Sequence, residues 1–232
     1  MSIKVGIICA GDRELAPFLD HINNVKVSEK AMLKIHEGTI NGINSATLYS
    51  GVCKVNAAIA TQILIDNYGV DIVINSGTAG GLDSELNIFD TVISTEVAYH
   101  DVDDNILTEF HPWMKDTYFK ADNELVRLSK NAVEKYGHKH KVYWGRMVTG
   151  EAFISDDGRQ AINDTYSPLS VDMESASIAH VCYVNNVPFI SIRTITDTED
   201  HSGEACFEEN CDKASEISKD ITLALLEKII KR

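Results

Sequence analysis

The side chains most able to do chemistry in this chain are acids and glycines placed where apolar runs stop. Asp197 closes the run Arg193-Thr194-Ile195-Thr196-Asp197, and Asp172 and Glu174 flank Met173 in Val171-Asp172-Met173-Glu174-Ser175-Ala176. Carboxylates so placed are candidates for acid–base work. Each also has a plainer reading: Asp197 as a helix cap, Asp172 and Glu174 as acids favouring a helix N-terminus. The third group is Asn75-Ser76-Gly77-Thr78-Ala79-Gly80-Gly81. Its three glycines let a backbone approach a ligand and expose N–H groups, or simply make a tight turn.

Other chemistries are poorly represented. Gly6 and Gly11 have phosphate-loop spacing, but Asp12-Arg13 stands where that loop needs Lys and then Ser or Thr. There is no G-x-G-x-x-G after a strand, no G-x-S-x-G elbow and no H-E-x-x-H. His138 and His140 lie among Lys139 and Lys141 and read as a solvated loop rather than metal ligands.

The elements that must position these groups follow from hydrophobic patterning. Ile3–Ala10, Val70–Asn75 and Val187–Ile195 are short, apolar and rich in β-branched residues, as buried strands are. Thr91–Ala98 and Val142–Thr149 read as further strands. Leu33–Ile40 and Ala46–Ser50 read as an antiparallel pair around the turn formers Asn41, Gly42 and Asn44. Helices are expected from Asp12, as cap, to about Ile22, and over Val55–Tyr68, Asn123–Tyr136 (stopped by Gly137), Glu174–Asn185 and the C-terminal stretch through Ile217, Ile221, Leu225 and Ile229. Strands alternating with helices predict an α/β layer structure with a mostly parallel sheet, and in such folds sites lie at the carboxyl ends of strands. Four such ends qualify: after Ala10, Asn75, Thr149 and Ile195.

Bulk properties narrow the partners. The 232 residues suit one large domain, with 4 Pro, 14 Gly and no linker-like stretch. A formal net charge of −14 argues against nucleic acid and against an anionic membrane surface. No apolar run approaches the roughly 20 residues needed to span a bilayer. Met1–Ala10 lacks the apolar core of a signal peptide. Cys9, Cys53, Cys182, Cys206 and Cys211 form no C-x-x-C pair, so reduced thiols and a cytoplasmic location are expected.

Taken together, the segments resemble the 5′-methylthioadenosine/S-adenosylhomocysteine nucleosidases, within the nucleoside phosphorylase superfamily, over essentially the whole length. The carriers are Gly6-Ile7-Ile8 with Glu14, Ser50–Ala58, the Ser76–Gly81 segment, Tyr99-His100-Asp101, Thr149–Ile154, Val171–Ala176, Ile178–Cys182 and Arg193–Asp197. The resemblance implies a single three-layer α/β/α sandwich with a mixed central sheet, a homodimer, and hydrolysis of the N-glycosidic bond of methylthioadenosine and S-adenosylhomocysteine, with 5′-deoxyadenosine as a further substrate. The products would be adenine and a 5-thioribose, without metal or organic cofactor, in methionine salvage and the removal of S-adenosylhomocysteine.

It also implies roles. Asp197 is the general acid at adenine N7, Glu14 the base that activates water, and Glu174 the group that grips the ribose hydroxyls. Phe153 stacks on adenine, the Ile154 backbone reads the adenine edge, Met173 packs under the sugar and Arg193 organises the site. Thr78, with Ala79 and Gly80, and Thr196 complete the substrate contacts, while Val52 and Phe207 wall the 5′-thio group. Leu107, Phe110 and Pro112 fill the place of the partner subunit's 5′ wall, and Gly11 stands where relatives often carry Met. Asp103, Asp104 and Glu109 suit either an amino-bearing 5′ group or a solvated loop. The rivals are a purine nucleoside phosphorylase, a futalosine-type nucleosidase and a non-catalytic nucleoside-binding protein. Asn75-Ser76 stands where phosphorylase relatives carry an Arg, which favours water over phosphate as the nucleophile.

Overall fold

The computed structural model describes residues 2–103, 105–111, 113–136, 141–154 and 156–230. The elements run in the order β1 (Lys4–Cys9), α1 (Asp12–Leu19), β2 (Asn23–Lys30), β3 (Leu33–Ile40), β4 (Ile43–Tyr49), α2 (Lys54–Tyr68), β5 (Ile72–Gly81) and β6 (Thr91–Tyr99). They continue with α3 (Ile106–Glu109), β7 (Tyr118–Lys120), α4 (Asn123–Tyr136), β8 (Val142–Thr149), α5 (Asp156–Tyr166), β9 (Ser170–Asp172), α6 (Ser175–Asn185), β10 (Phe189–Asp197) and α7 (Glu204–Ile230). The expected mixed sheet is present: β1, β4, β5 and β10 are mutually parallel, whereas β2–β3–β4 and β10–β6 run antiparallel.

The long strand β5 explains the shape of the sheet. Its first half pairs with β1 and its far edge with β10, while Gly80 and Gly81 at its end pair with β9. Because β10 also pairs with β6, β6 with β8 and β8 with β9, these five strands close into a ring, and β1–β4–β3–β2 extend from it as a wing.

Helices cover both faces, as apolar residues on both sides of the central strands require. On one face Ala57, Ala60 and Leu64 of α2 and Ala176, Ile178 and Cys182 of α6 pack on Ile8, Val73 and Val97. Small residues at the α2–α6 contact let the two helices approach closely. On the other face Leu15 and Phe18 of α1, Leu125 and Leu128 of α4 and Ile221 and Leu225 of α7 pack on Val5, Ile74 and Ile192. Helix α2 ends because Gly69 takes the left-handed conformation at φ 62° and returns its N–H to the Ile65 and Leu64 carbonyls. Among the described residues no helix is long and apolar enough to cross a membrane.

Three expectations are corrected. The segment Ser76–Gly81 is not a turn: it continues β5, with no positive φ at Gly77, Gly80 or Gly81. Helix α1 begins at Asp12 with Gly11 as its cap, and it stops at Leu19. Strands β2, β7 and β9 and helices α3 and α5 have no counterpart in the sequence reading. Gly137, His138 and His140 lie outside the described residues.

Candidate active site

Strands β1, β5 and β10 run the same way, so their carboxyl ends meet at one rim. That rim borders a cavity of about 380 Å³, whose walls include Glu14, Glu174 and Asp197. Its size falls in the range of small-molecule sites.

Glu14 owes its place to the start of α1. It is the third residue of the helix, and its side chain reaches back to the cap, as a Glu at that position does. Its Oε2 accepts the N–H groups of Ala10 (2.6 Å) and Gly11 (3.2 Å), and its Oε1 accepts the N–H (2.7 Å) and hydroxyl (2.8 Å) of Thr78. Four donors hold the carboxylate at the base of the cavity.

Arg193, fully buried on β10, is the electrostatic centre. It lies 3.1 Å from Glu174 Oε2, 3.2 Å from Asp172 Oδ2 and 3.6 Å from Glu14 Oε1, and donates to the Thr78 carbonyl at 3.1 Å. Burial works against the guanidinium charge, but the three carboxylates more than reverse this and raise its pKa. One cation facing three buried carboxylates leaves an excess of negative charge. Burial therefore lifts Glu174 to about 7, against the pull of Arg193 and with the help of Asp172 and Glu14. The other Glu174 oxygen accepts the Cys53 N–H at 3.0 Å.

Asp172 is the keystone of this corner. Oδ1 accepts the Thr149 hydroxyl (2.6 Å) and the N–H groups of Glu174 (3.1 Å) and Ser175 (3.0 Å), and Oδ2 accepts the Ser175 hydroxyl. It accepts the N–H groups at the entry to α6 and pairs with Arg193 at once, so one acid serves both the helix terminus and this corner of the cavity.

Asp197 ends β10 and caps no helix, contrary to the plainer sequence reading. Burial raises its pKa, opposed by hydrogen bonds from Thr196 and the charge of Arg159. Thr196 does not line the cavity; its hydroxyl serves Asp197 Oδ1 (2.9 Å) and the Ala79 carbonyl (3.3 Å). It braces the Asp197 carboxyl from behind the cavity wall.

Apolar groups form much of the remaining lining, beside the charged Asp12, Arg13 and Glu208. Val52, Ala79, Gly80, Phe153, Ile154, Met173 and Phe207 all line the cavity, with the Phe153 and Phe207 rings edge to face at 6.5 Å. Of the 5′-wall candidates, Leu107 packs half-buried against its own protomer's core, Phe110 is 80 % exposed, and Pro112 lies outside the described residues. Neither Leu107 nor Phe110 lines this cavity in the single subunit. Among the described residues no group of three or more His, Cys, Asp or Glu side chains is arranged to hold a metal ion.

The chain belongs to the phosphorylase superfamily, whose sequence model matches residues 4–227. Within that class it is similar to the 5′-methylthioadenosine/S-adenosylhomocysteine nucleosidase of Colwellia psychrerythraea 34H in complex with adenine: 33 % identity, TM-score 0.90, covering 98 % of this chain and 96 % of that one. The corresponding nucleosidase from Neisseria meningitidis, in complex with methylthio-immucillin-A, is 31 % identical with TM-score 0.88 over 97 % of this chain and 98 % of that one. The futalosine hydrolase of Helicobacter pylori strain 26695 shares the fold at TM-score 0.88 and 24 % identity, over 98 % of this chain and 99 % of that one.

Sequence reasoning missed Arg159, buried on α5 and paired with Asp197 at 3.0 Å. No local signal marks it, since its partner lies 38 residues further on.

Proposed function

We propose that this protein is a hydrolase that cleaves the bond between adenine and the ribose of 5′-thio-substituted adenosines, methylthioadenosine and S-adenosylhomocysteine among them. The observation that carries this reading is that three carboxylates from distant parts of the chain, Glu14, Glu174 and Asp197, line one cavity, with Arg193 between two of them.

The reaction needs positive charge stabilised on the sugar, negative charge relieved on the base, and water delivered to the anomeric carbon. Asp197 gives its proton to adenine N7 as the N9–C1′ electron pair withdraws into the purine. Its burial favours the protonated form this step requires. Glu174 holds the ribose hydroxyls and offsets the cationic sugar. Glu14 takes a proton from the water that attacks C1′. Phe153 stacks on the base, the Ile154 backbone meets its edge, Met173 packs beneath the sugar, and Val52 with Phe207 faces the thio group.

Water is favoured over phosphate by the state of the cations. Among the described residues, the only Lys or Arg side chains lining the cavity are Arg13 and Arg193. Arg193 is matched by three carboxylates, and Arg13 is held by Asp212 (2.6 Å) and Glu208 (2.7 Å). Neither is left to bind an incoming anion.

The 5′ wall is completed in this reading by Phe110 and Pro112, with Leu107, of a second subunit in a cytoplasmic homodimer. Apolar Val55 and Ile59 on α2 and Tyr183 on α6 are exposed and suit such an interface. Product analysis with and without phosphate tests the whole assignment. Free adenine and 5-methylthioribose, independent of phosphate, are expected from methylthioadenosine, with release abolished in Asp197→Asn. A ribose 1-phosphate product, or no adenine at all, overturns it.

A further inference from the structure

The proposed acid has a partner that the chemistry above leaves unused. Arg159, in the first turns of α5, is 4 % exposed. One of its terminal nitrogens donates to Asp197 Oδ2 at 3.0 Å and the other to the Gly81 carbonyl. Asp197 lines the cavity and Arg159 does not, so the guanidinium stands behind the carboxyl, away from the ligand. With Thr196 on Oδ1 and Arg159 on Oδ2, both oxygens are held. Gly80 completes the cradle: a Cβ there would come within 3.0 Å of Oδ2.

No other charge competes for Asp197 among the described residues. Strand β5 presents Gly80 and Gly81, β9 presents Val171, and β10 presents Thr196; from α7, the uncharged Asn210 donates to the Thr196 carbonyl. Arg159 is the cation in ion-pair reach.

We propose that Arg159 is a positioning residue that fixes the Asp197 carboxyl towards the base and takes up the negative charge left on it when its proton passes to the leaving purine. The inference rests on the nucleosidase reading. In that step the Asp197 O–H bond breaks and the N7–H bond forms. The charge that would have stayed on the base ends on a carboxylate already paired with a guanidinium. Burial alone would make Asp197 a reluctant acid, holding its proton; a cation behind it restores acid strength without reaching the substrate. Burial and the Arg159 charge act on this one carboxyl in opposite senses, the first favouring the protonated form and the second the release of its proton.

The test compares wild type, Arg159→Lys and Arg159→Gln by the pH profile of adenine release and by 13C titration of the Asp197 carboxyl in the unliganded protein, assigned with Asp197→Asn. Loss of a charge-assisted hydrogen bond lowers kcat about 10- to 100-fold in Arg159→Gln. The alkaline limb of kcat/KM and the carboxyl midpoint both move upward by about one pH unit or more, and Arg159→Lys keeps both near wild type. An active wild type whose Arg159→Gln limb and midpoint stay put, even with a lower kcat, overturns this role alone and leaves a structural ion pair. A wild type that releases no adenine overturns the enzymatic reading and the role together.

Discussion

Gly77 leaves the space that Glu14 occupies. A Cβ built on Gly77 would fall on the Glu14 carboxylate, although the backbone there has no positive φ that demands glycine. The requirement is room, and the residue that needs it is the proposed base. Gly77→Ala is therefore expected to push Glu14 off its four donors while leaving the strand intact. A displacement of about 1 Å at a reacting group reduces the rate on the order of 100-fold. We expect kcat for adenine release to fall by that amount with adenine binding retained. Full activity in Gly77→Ala would show that the Glu14 position is not critical.

That relationship also explains a misreading. Ser, Gly and Thr after an apolar strand have the composition of a turn, yet here they are the end of β5, thinned so that Glu14 and Asp197 fit against it. Composition carries the smallness of these residues but not what presses on them. The buried strands and the helices with apolar stripes were legible because burial on two faces leaves a continuous apolar run. Strand β2 was not, because it is an edge strand with almost every side chain exposed, and β7 and β9, with three residues each, are too short to show a period. The acids and Arg193 were legible through their joint resemblance to a family. Arg159 was not, because its meaning depends on the ring closure that brings α5 under Asp197.

Cys53 carries backbone strain beside the site. It holds φ 83° and ψ 162°, a region open in practice to glycine alone, while its N–H donates to Glu174 Oε1 at 3.0 Å. Cys53→Gly should keep that bond and relieve the strain, worth about 1–3 kcal/mol, less about 0.5–1 kcal/mol for the added freedom of glycine in the unfolded chain. A net gain of about 1 kcal/mol in urea unfolding is expected, with adenine release unchanged. A destabilised variant would mean that the thiol's own contacts outweigh the strain.

The excess of negative charge around Arg193 has a consequence for stability. Glu174 is raised from 4.5 to about 7, so between those values the folded protein binds a proton that the unfolded chain releases. Stability from this group is complete below about pH 4.5 and is lost as pH rises through 7. Glu174→Gln removes the titration, while Asp197, which is shifted the same way, is common to both proteins and cancels. The unfolding free energy of wild type relative to Glu174→Gln should fall by roughly 2–3 kcal/mol from pH 5 to pH 8. A difference that does not vary with pH would place the proton elsewhere.

The exposed apolar face of α2 tests the dimer. Val55 is 68 % and Ile59 44 % exposed, and Phe110 and Trp113 are more than three-quarters exposed. Burying such a face against a second copy removes about 25 cal/mol per Å2 of apolar area from the cost of solvation, and a charge placed there would have to be desolvated unpaired. Ile59→Glu is therefore expected to shift the mass in solution from dimer to monomer without unfolding the chain, since Ile59 lies outside the core. If a partner subunit supplies the 5′ wall, the monomer should also lose affinity for methylthioadenosine, seen as a raised KM, while binding of free adenine, which needs only the Phe153 and Asp197 end of the cavity, is kept. A wild-type protein that sediments as a monomer with full activity would contradict the interface, and a monomeric Ile59→Glu with unchanged KM would contradict the shared wall.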